Sequence, residues 1–315
     1  TASNVLNTIG INVFRASVTV TLDRNKIANI SGQGLNTSSF ARGISSTASA
    51  TLQAESNLIF NISSSANNVA TTGATVGIFA SNATAPALLI SKNTVYNLSN
   101  TNAVTVAGVL VGAVNGGVNP RIENNMITLG NGQASNTRFL RIYNQTNNTG
   151  TAQVYANSVV ITGAGAGGNT STTSAFFRES TTVFELRANI LFTNRTGGGN
   201  HHALASTTGS PGTSNFNLLF SAVAGNLTNV GGVPRDFATW RGASGQDLNS
   251  VNTDISSKFI SIPNGNLRIP DDGSALVLTN IVDMGSASVG TNPVSDDVDK
   301  AHRANLTDIG ASEVL

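Results

Sequence analysis

The stretch "ISKNTVYNLSNTN" (residues 90–102) decides the reading of this chain. It is a strand-like apolar run with an asparagine, Asn93, set between Ile90 and Val95. Asparagine is a poor strand former, so its place there needs a reason. The reason lies in where the same pattern recurs.

Asn-x-(Ile/Val/Leu) appears at Asn25, Asn57, Asn93, Asn125, Asn157, Asn189 and Asn217, with gaps of 32, 36, 32, 32, 32 and 28 residues. Asn249, in "LNSV", follows after another 32. Neighbouring columns agree. Two after each Asn stand Ile27, Ile59, Val95, Ile127, Val159, Leu191 and Leu219. Three before it stand Leu22, Ala54, Ile90, Ile122, Val154, Leu186 and Ser214, and five before it Val20, Leu52, Leu88, Pro120, Ala152, Phe184 and Gly212. The period of two at these last positions is that of a strand with one face on a core. Further strand-like runs, "VGIFAS" (76–81), "VTVAGVLVGA" (104–113) and "TRFLRIYN" (137–144), alternate with Gly/Asn/Thr-rich loops. Strands and turns at a fixed period predict an all-β fold, a β-solenoid with coils of about 32 residues.

In such a stack, equivalent residues lie about 4.8 Å apart along the axis. An inward Asn then meets the Asn of the coils above and below, and each amide donates to one and accepts from the other. The alternative places these Asn at exposed turns, where Asn tolerates the left-handed region. The 36-residue step between Asn57 and Asn93 predicts four extra loop residues near "SSSANNVATTGAT" (63–75).

Composition narrows the setting. Of 315 residues, 39% are hydrophobic but only 10% charged and 5% aromatic, which leaves Asn, Ser, Thr and Gly to cover the surface. That surface suits an extracellular protein meeting sugars or other proteins. Cysteine is absent, so neither disulfides nor thiolate metal sites can hold the fold. No apolar run reaches 18 residues, so no membrane insertion is expected. "TASNVLNTIG" has no charged n-region or apolar h-region, and we read the chain as a processed protein or a fragment. Residues 1–235 carry 12 Lys/Arg and 5 Asp/Glu, whereas residues 236–315 carry 5 and 11. The shift divides the chain into about seven β-helix coils (1–235) and an acidic closing segment (236–315) of the same domain. Neither part has the Lys/Arg clusters that phosphate neutralisation needs, so no nucleic-acid partner is expected.

"RNKIANIS", "KNTVYNLSN", "LRANILFTN" and "SNFNLLFSA" resemble the right-handed parallel β-helix repeats of pectate-lyase-like topology. Their setting resembles secreted and cell-surface proteins of Bacteroidota exported by the type IX secretion system. "FATWRGASGQDLNSV" (237–251), "KFISIPNGNLRIPDDGSALV" (258–277) and "TDIGASEVL" (307–315) look like that family's closing segment. The resemblance implies a right-handed winding and an extracellular or cell-surface location.

For chemistry, the column two before each Asn offers Asp23 and Glu55 in adjacent coils, with Arg24 and Lys26 nearby. It is the best carboxylate pair for glycan hydrolysis, though outward charges on a solenoid are usually only solvated. Asp296, Asp297, Asp299 and Asp308 could ligate Ca²⁺, but no EF-hand loop is present, and salt bridges to Lys300 and Arg303 account for them better. His201-His202 lacks the i,i+4 spacing of a helical zinc site and reads as a loop. Asn29, Asn61 and Asn97 begin Asn-x-Ser triplets but share one column, so a structural role is expected. No residue is therefore assigned as catalytic, cofactor-binding or metal-ligating. The expected role is a non-enzymatic structural or adhesive module contacting polysaccharide or other cell-surface proteins. A β-helix lyase or hydrolase and a filament or surface-layer subunit are the alternatives.

Overall fold

The computed structural model describes residues 5–14, 18–34, 36–47, 51–67, 74–81, 87–102, 104–112, 119–130, 139–141, 150–165, 172–179, 183–207, 212–270, 272–274, 277, 294–300 and 308–312. Each coil begins with a short strand such as Leu88–Ser91, turns a corner through the ladder Asn, and continues in a second strand such as Thr94–Asn100. A third strand, here Thr105–Val111, completes it. Equivalent strands pair in parallel. The first strands form a seven-stranded sheet from Val20–Asp23 to Gly212–Asn215, and the second strands another from Lys26–Gly32 to Leu218–Ser221. The third face has five strands, Asn7–Val13 to Phe139–Arg141, then Thr172–Arg178, Asn200–Ser206 and Thr228–Val230, the last of which turns back into the antiparallel strand Val233–Arg235. Registers follow the columns of the sequence: Ile90 pairs with Ala54 and Ile122, and Val95 with Ile59 and Ile127. The chain is a parallel β-solenoid.

The asparagines form a continuous ladder. Nδ2 of Asn25, Asn57, Asn93, Asn125, Asn157 and Asn189 donates to Oδ1 of the next rung at 2.9, 2.9, 2.9, 2.9, 3.0 and 3.1 Å. The same Oδ1 also accepts the backbone N–H of the preceding rung, as in Asn93 to Asn125 at 3.0 Å. The second amide proton reaches a carbonyl of the preceding coil, from Asn93 to Ala54 O at 2.8 Å and from Asn125 to Ile90 O at 2.9 Å. Asn93, Asn125, Asn157, Asn189 and Asn217 are wholly buried. The left-handed conformation belongs to the residue before each rung, at Arg24, Ser56, Lys92, Asn124, Ala156, Ala188 and Phe216. The turn alternative, in which Asn itself is left-handed and exposed, is therefore excluded for this column. Asn125→Ala leaves buried groups above and below without partners, and urea denaturation should show a loss of about 1–3 kcal/mol.

A second, outer column does what that alternative described. Asn29, Asn61 and Asn97 have positive φ and interrupt the second strands of the first three coils. Their amides join at 3.0 and 2.6 Å, which is the structural role expected for them.

Three expectations need correction. Asn249 is not the eighth rung: it is exposed, and the ladder ends on Asp247 and Ser250. Asn217 Nδ2 donates to Asp247 Oδ1 at 3.1 Å, and Asn217 N to Ser250 Oγ at 2.8 Å. A carboxylate accepts without needing a further rung below it, so it terminates the ladder where another Asn would prolong it. The four extra residues of the 36-residue step do not sit together. Ser64 to Thr75 spans two more residues than Gly32 to Ala41, and Ala80 to Leu88 two more than Ser46 to Leu52. Residues 68–73 and 82–86 of these loops lie outside the described residues. Finally, His201 and His202 are not in a loop but in the strand Asn200–Ser206, paired with Thr173 and Ser174.

The segment after residue 235 covers both the end and one side of the stack. The helix Phe237–Ser244 is capped by Asp236, whose side chain accepts Thr239 N at 2.7 Å, and stopped by Gly245 in the left-handed region. It drives Trp240 into the solenoid core. Beyond it, Ile255, Phe259, Leu267, Ile269, Ile309 and Ala311 pack on Met126, Val160, Ile190, Phe192 and Leu218, outward positions of the second strands. This is why those strands are buried on both faces in later coils (Met126–Leu129, Ser158–Ile161, Ile190–Thr193) and only on alternate residues in Leu58–Ser64 and Thr94–Asn100. Gly310 N donates to Ala188 O at 2.8 Å and Ala311 N to Ser158 Oγ at 2.9 Å, fixing the strap's position.

Candidate functional site

Outward side chains of the first strands occupy two columns, because alternate residues leave the core. Asp23, Glu55, Ser91, Glu123, Tyr155, Arg187 and Asn215 are Cα partners in succession, and so are Thr21, Gln53, Leu89, Arg121, Gln153, Glu185 and Thr213. The stack thus brings Asp23 and Glu55 together as the sequence reading expects. Asp23 stands 3.5 Å from the guanidinium of Arg24, and both side chains are well exposed, at 41% and 69%. Screening by water leaves such a pair weak.

A denser cluster lies further along, and the sequence reading passed over it. Arg121 pairs with Glu123, Arg187 pairs with Glu185 at 2.9 Å, and the Tyr155 hydroxyl donates to Glu185. The Arg121 guanidinium lies 5.8 Å from the centre of the Tyr155 ring. These side chains are mostly shielded, with Glu123 at 13% and Glu185 at 14% exposure. Burial raises the Glu123 carboxyl above its ordinary pKa, and Arg121 and then Lys92 oppose the shift. Burial and the bond to Glu185 likewise raise the Tyr155 phenol. The signal in the sequence was opposite charge at i and i+2, "RIE" and "ELR", which a strand places on one face. The cluster holds guanidinium donors, carboxylate acceptors and a phenol together on one rigid surface.

The acidic tail is organised otherwise than expected. Asp296 pairs with Lys92 at 2.7 Å and Asp299 with Arg268, while the expected partner Arg303 lies outside the described residues. Lys92 is reached because the closing segment lays Asp296 against the coils, 204 residues away in sequence, whereas Arg268 and Asp299 pair within that segment. Asp297 is buried and its Oδ1 accepts Asp299 N at 2.8 Å, while Asp308 is buried at the start of the last described segment. Among the described residues no group of three or more His, Cys, Asp or Glu could hold a metal ion.

His201 and His202 are buried, at 2% and 0% exposure. His202 Nδ1 lies 2.7 Å from Asn226 O, whereas neither ring nitrogen of His201 has a hydrogen-bond partner. Burial, with Arg195 and His202 adding to it, lowers His201 to about 4, and burial also lowers His202. The unfolded chain, with histidines near 6.5, then binds protons more readily than the fold. Stability is complete above pH 6.5 and falls as pH drops from 6.5 towards 4. The difference between wild type and His201→Leu in acid denaturation should reach roughly 3 kcal/mol across that window.

On the outer side of the third face, a shallow groove of about 360 Å³ is lined by Phe177, Glu179, Thr207 and Asn229. Trp240 is buried in the core and forms no surface platform.

Comparison with known proteins returns no match to any family model, curated protein or solved structure. Fold and site therefore rest on the geometry of this chain.

Proposed function

We propose that the chain is a non-enzymatic extracellular module, a stiff β-solenoid spacer whose lateral polar faces adhere to polysaccharide or to other cell-surface proteins. The observation that carries this reading is the strip Arg121, Glu123, Tyr155, Glu185 and Arg187, held on consecutive rungs. Its charges neutralise one another in pairs, which leaves a hydrogen-bonding surface of fixed geometry and little net field. Ligands rich in hydroxyls suit such a surface better than polyanions do. The Asn ladder supports the spacer role, since each buried rung resists slippage of its neighbours. The resemblance of the repeats supports two finer proposals: a right-handed, pectate-lyase-like winding, and export to the surface of a Bacteroidota cell by the type IX system. The strong preference of parallel crossovers for the right hand agrees with the first.

A second reading, a β-helix glycoside hydrolase or polysaccharide lyase, draws on Glu123. A buried carboxyl with a raised pKa is the form a general acid takes. One experiment separates the two. The protein is incubated with acidic and neutral polysaccharides, with and without Ca²⁺, and both retention and new reducing ends or unsaturated products are scored. Retention without release, weakened in Arg121→Ala, supports adhesion. Reproducible release that disappears in Glu123→Gln replaces it with the enzyme, and neither retention nor release removes the glycan reading.

A further inference from the structure

One contact joins distant parts of the chain through groups that can react with each other. Lys92 stands at the corner before the rung Asn93, and its Nζ lies 2.7 Å from Oδ2 of Asp296, 204 residues further on. Both groups are held in place. The Lys92 backbone N–H donates to Glu123 O of the next coil at 3.1 Å. Asn124 Nδ2 donates to the Asp296 backbone O at 2.7 Å, and Val294 and Asp297 on either side are buried. The lysine side chain is only 12% exposed. The carboxyl carbon of Asp296 lies one bond beyond the contacted oxygen. A small rotation brings it to the about 3–3.5 Å from which bonds form, and groups so fixed reach effective molarities of about 10⁵–10⁸ M.

A third group stands beside them. Glu123 is the register partner of Ser91, next to Lys92, and its carboxyl feels the charges of both Lys92 and Asp296. Burial raises its pKa, Arg121 and then Lys92 oppose the rise, and Asp296 adds to it. A carboxyl in that setting can carry a proton and hand it on.

We infer that Lys92 and Asp296 condense into an intramolecular isopeptide bond that staples the closing segment to the coils. The ammonium first gives a proton to the Asp296 carboxylate, which leaves a free amine beside a neutral acid, the form that removal from water favours. Nζ then attacks Asp296 Cγ. Glu123 donates its proton to the departing hydroxyl, which leaves as water, and takes the proton that the nitrogen sheds. One ammonium and one carboxylate become one amide and one water, Glu123 ends unchanged, and no oxidant or cofactor is consumed. The chain has no cysteine, and an amide staple needs none. The staple is independent of what the lateral faces bind. Lys258 and Asp272 form the natural comparison: Asp272 is 42% exposed, and Lys258 and then Ser274 lower its pKa with no second carboxyl acting on it among the described residues. That pair should remain ionic.

Mass spectrometry of the whole denatured chain tests this. Wild type should be lighter than its sequence by one water. A tryptic digest should yield a branched peptide that joins Lys92 to Asp296 and is uncut after Lys92. Lys92→Arg, which keeps the ion pair without a nucleophilic amine, and Asp296→Ala should both have the full mass. Glu123→Gln, which cannot cycle the proton, should show a linked fraction lower by about tenfold or more in freshly made protein. Circular dichroism confirms that each variant is folded. Full mass in wild type, a lost water traced to an aspartimide or to Lys258 and Asp272, linkage that survives Lys92→Arg, or an equal linked fraction in Glu123→Gln would overturn the inference.

Discussion

Gly77→Val should lower the stability of the solenoid by about 3 kcal/mol, the upper end of the usual cost of overpacking a well-packed core. A Cβ at Gly77 would stand 2.5 Å from Val95 Cγ1 and 2.6 Å from Gly108 O. The second of these is backbone of the next coil and cannot swing aside. The position repeats along the stack: a Cβ at Gly43 would lie 2.6 Å from Ile59 Cγ2 and 2.7 Å from Gly77 O, and one at Gly10 would lie 2.5 Å from Ile27 Cγ2 and 2.7 Å from Gly43 O. Gly108 similarly presses on Ile127. Each glycine lets the third strand approach the residue two after the ladder Asn, so the small column and the Asn column together set the width of the coil. In later coils Ala175 and Ala203 lie in the corresponding run, each just before a buried Phe176 or Leu204. Urea denaturation of Gly77→Val beside Gly225→Ala, where an added Cβ meets nothing within 4 Å, isolates the effect. A Gly77→Val midpoint matching that of the control would show that the coils have slack that these contacts deny.

Trp240→Ala should cost about 3–5 kcal/mol, the range for truncating a large buried aromatic. The side chain is 2% exposed and plugs the last coil against the main core. Its Nε1 donates to Asp247 Oδ2 at 2.8 Å. Asp247 Oδ1 accepts from Asn217 Nδ2, from Ser214 Oγ at 2.9 Å and from Ser250 Oγ at 2.7 Å. Removing the indole therefore leaves a buried carboxylate short of a donor and opens the sheet ends at Gly212–Asn215 and Leu218–Ser221. Trp240→Phe keeps much of the volume but loses the N–H, so it should recover part of the loss. Hydrogen exchange would show deprotection beginning at the last coil in Trp240→Ala. Uniform deprotection along the whole stack, or none, would contradict a capping role.

How much of this was legible in the sequence depends on spacing. The Asn ladder could be read because the short strand before it and the corner into it have constant length, so the column keeps its 32-residue phase. The glycine column could not, although Gly10, Gly43, Gly77 and Gly108 are equally periodic in space. Their spacings of 33, 34 and 31 drift, because variable loops lie on both sides of the third strand, and they stand among 32 glycines. The end of the ladder misled for a related reason. Asn249 keeps the 32-residue phase, yet the helix before it has replaced the coil, so Asp247 and Ser250 arrive at the rung instead. The strap was invisible because its contacts join residues such as Ala311 and Ser158, 153 apart, with no periodicity to link them. The ionic cluster was half visible: "RIE" and "ELR" can be read as one-faced pairs, but only register sets Tyr155 between them.

The central claim is that seven asparagine side chains form one continuous buried hydrogen-bonded column. Hydrogen exchange of the side-chain amides, followed by NMR on protein labelled at asparagine, tests it most directly. The ladder predicts slow exchange at Nδ2 of Asn57, Asn93, Asn125, Asn157 and Asn189, faster exchange at the half-buried Asn25, and rapid exchange at the exposed Asn249. Rapid exchange of Asn93, Asn125 and Asn157, indistinguishable from that of Asn249, would contradict it.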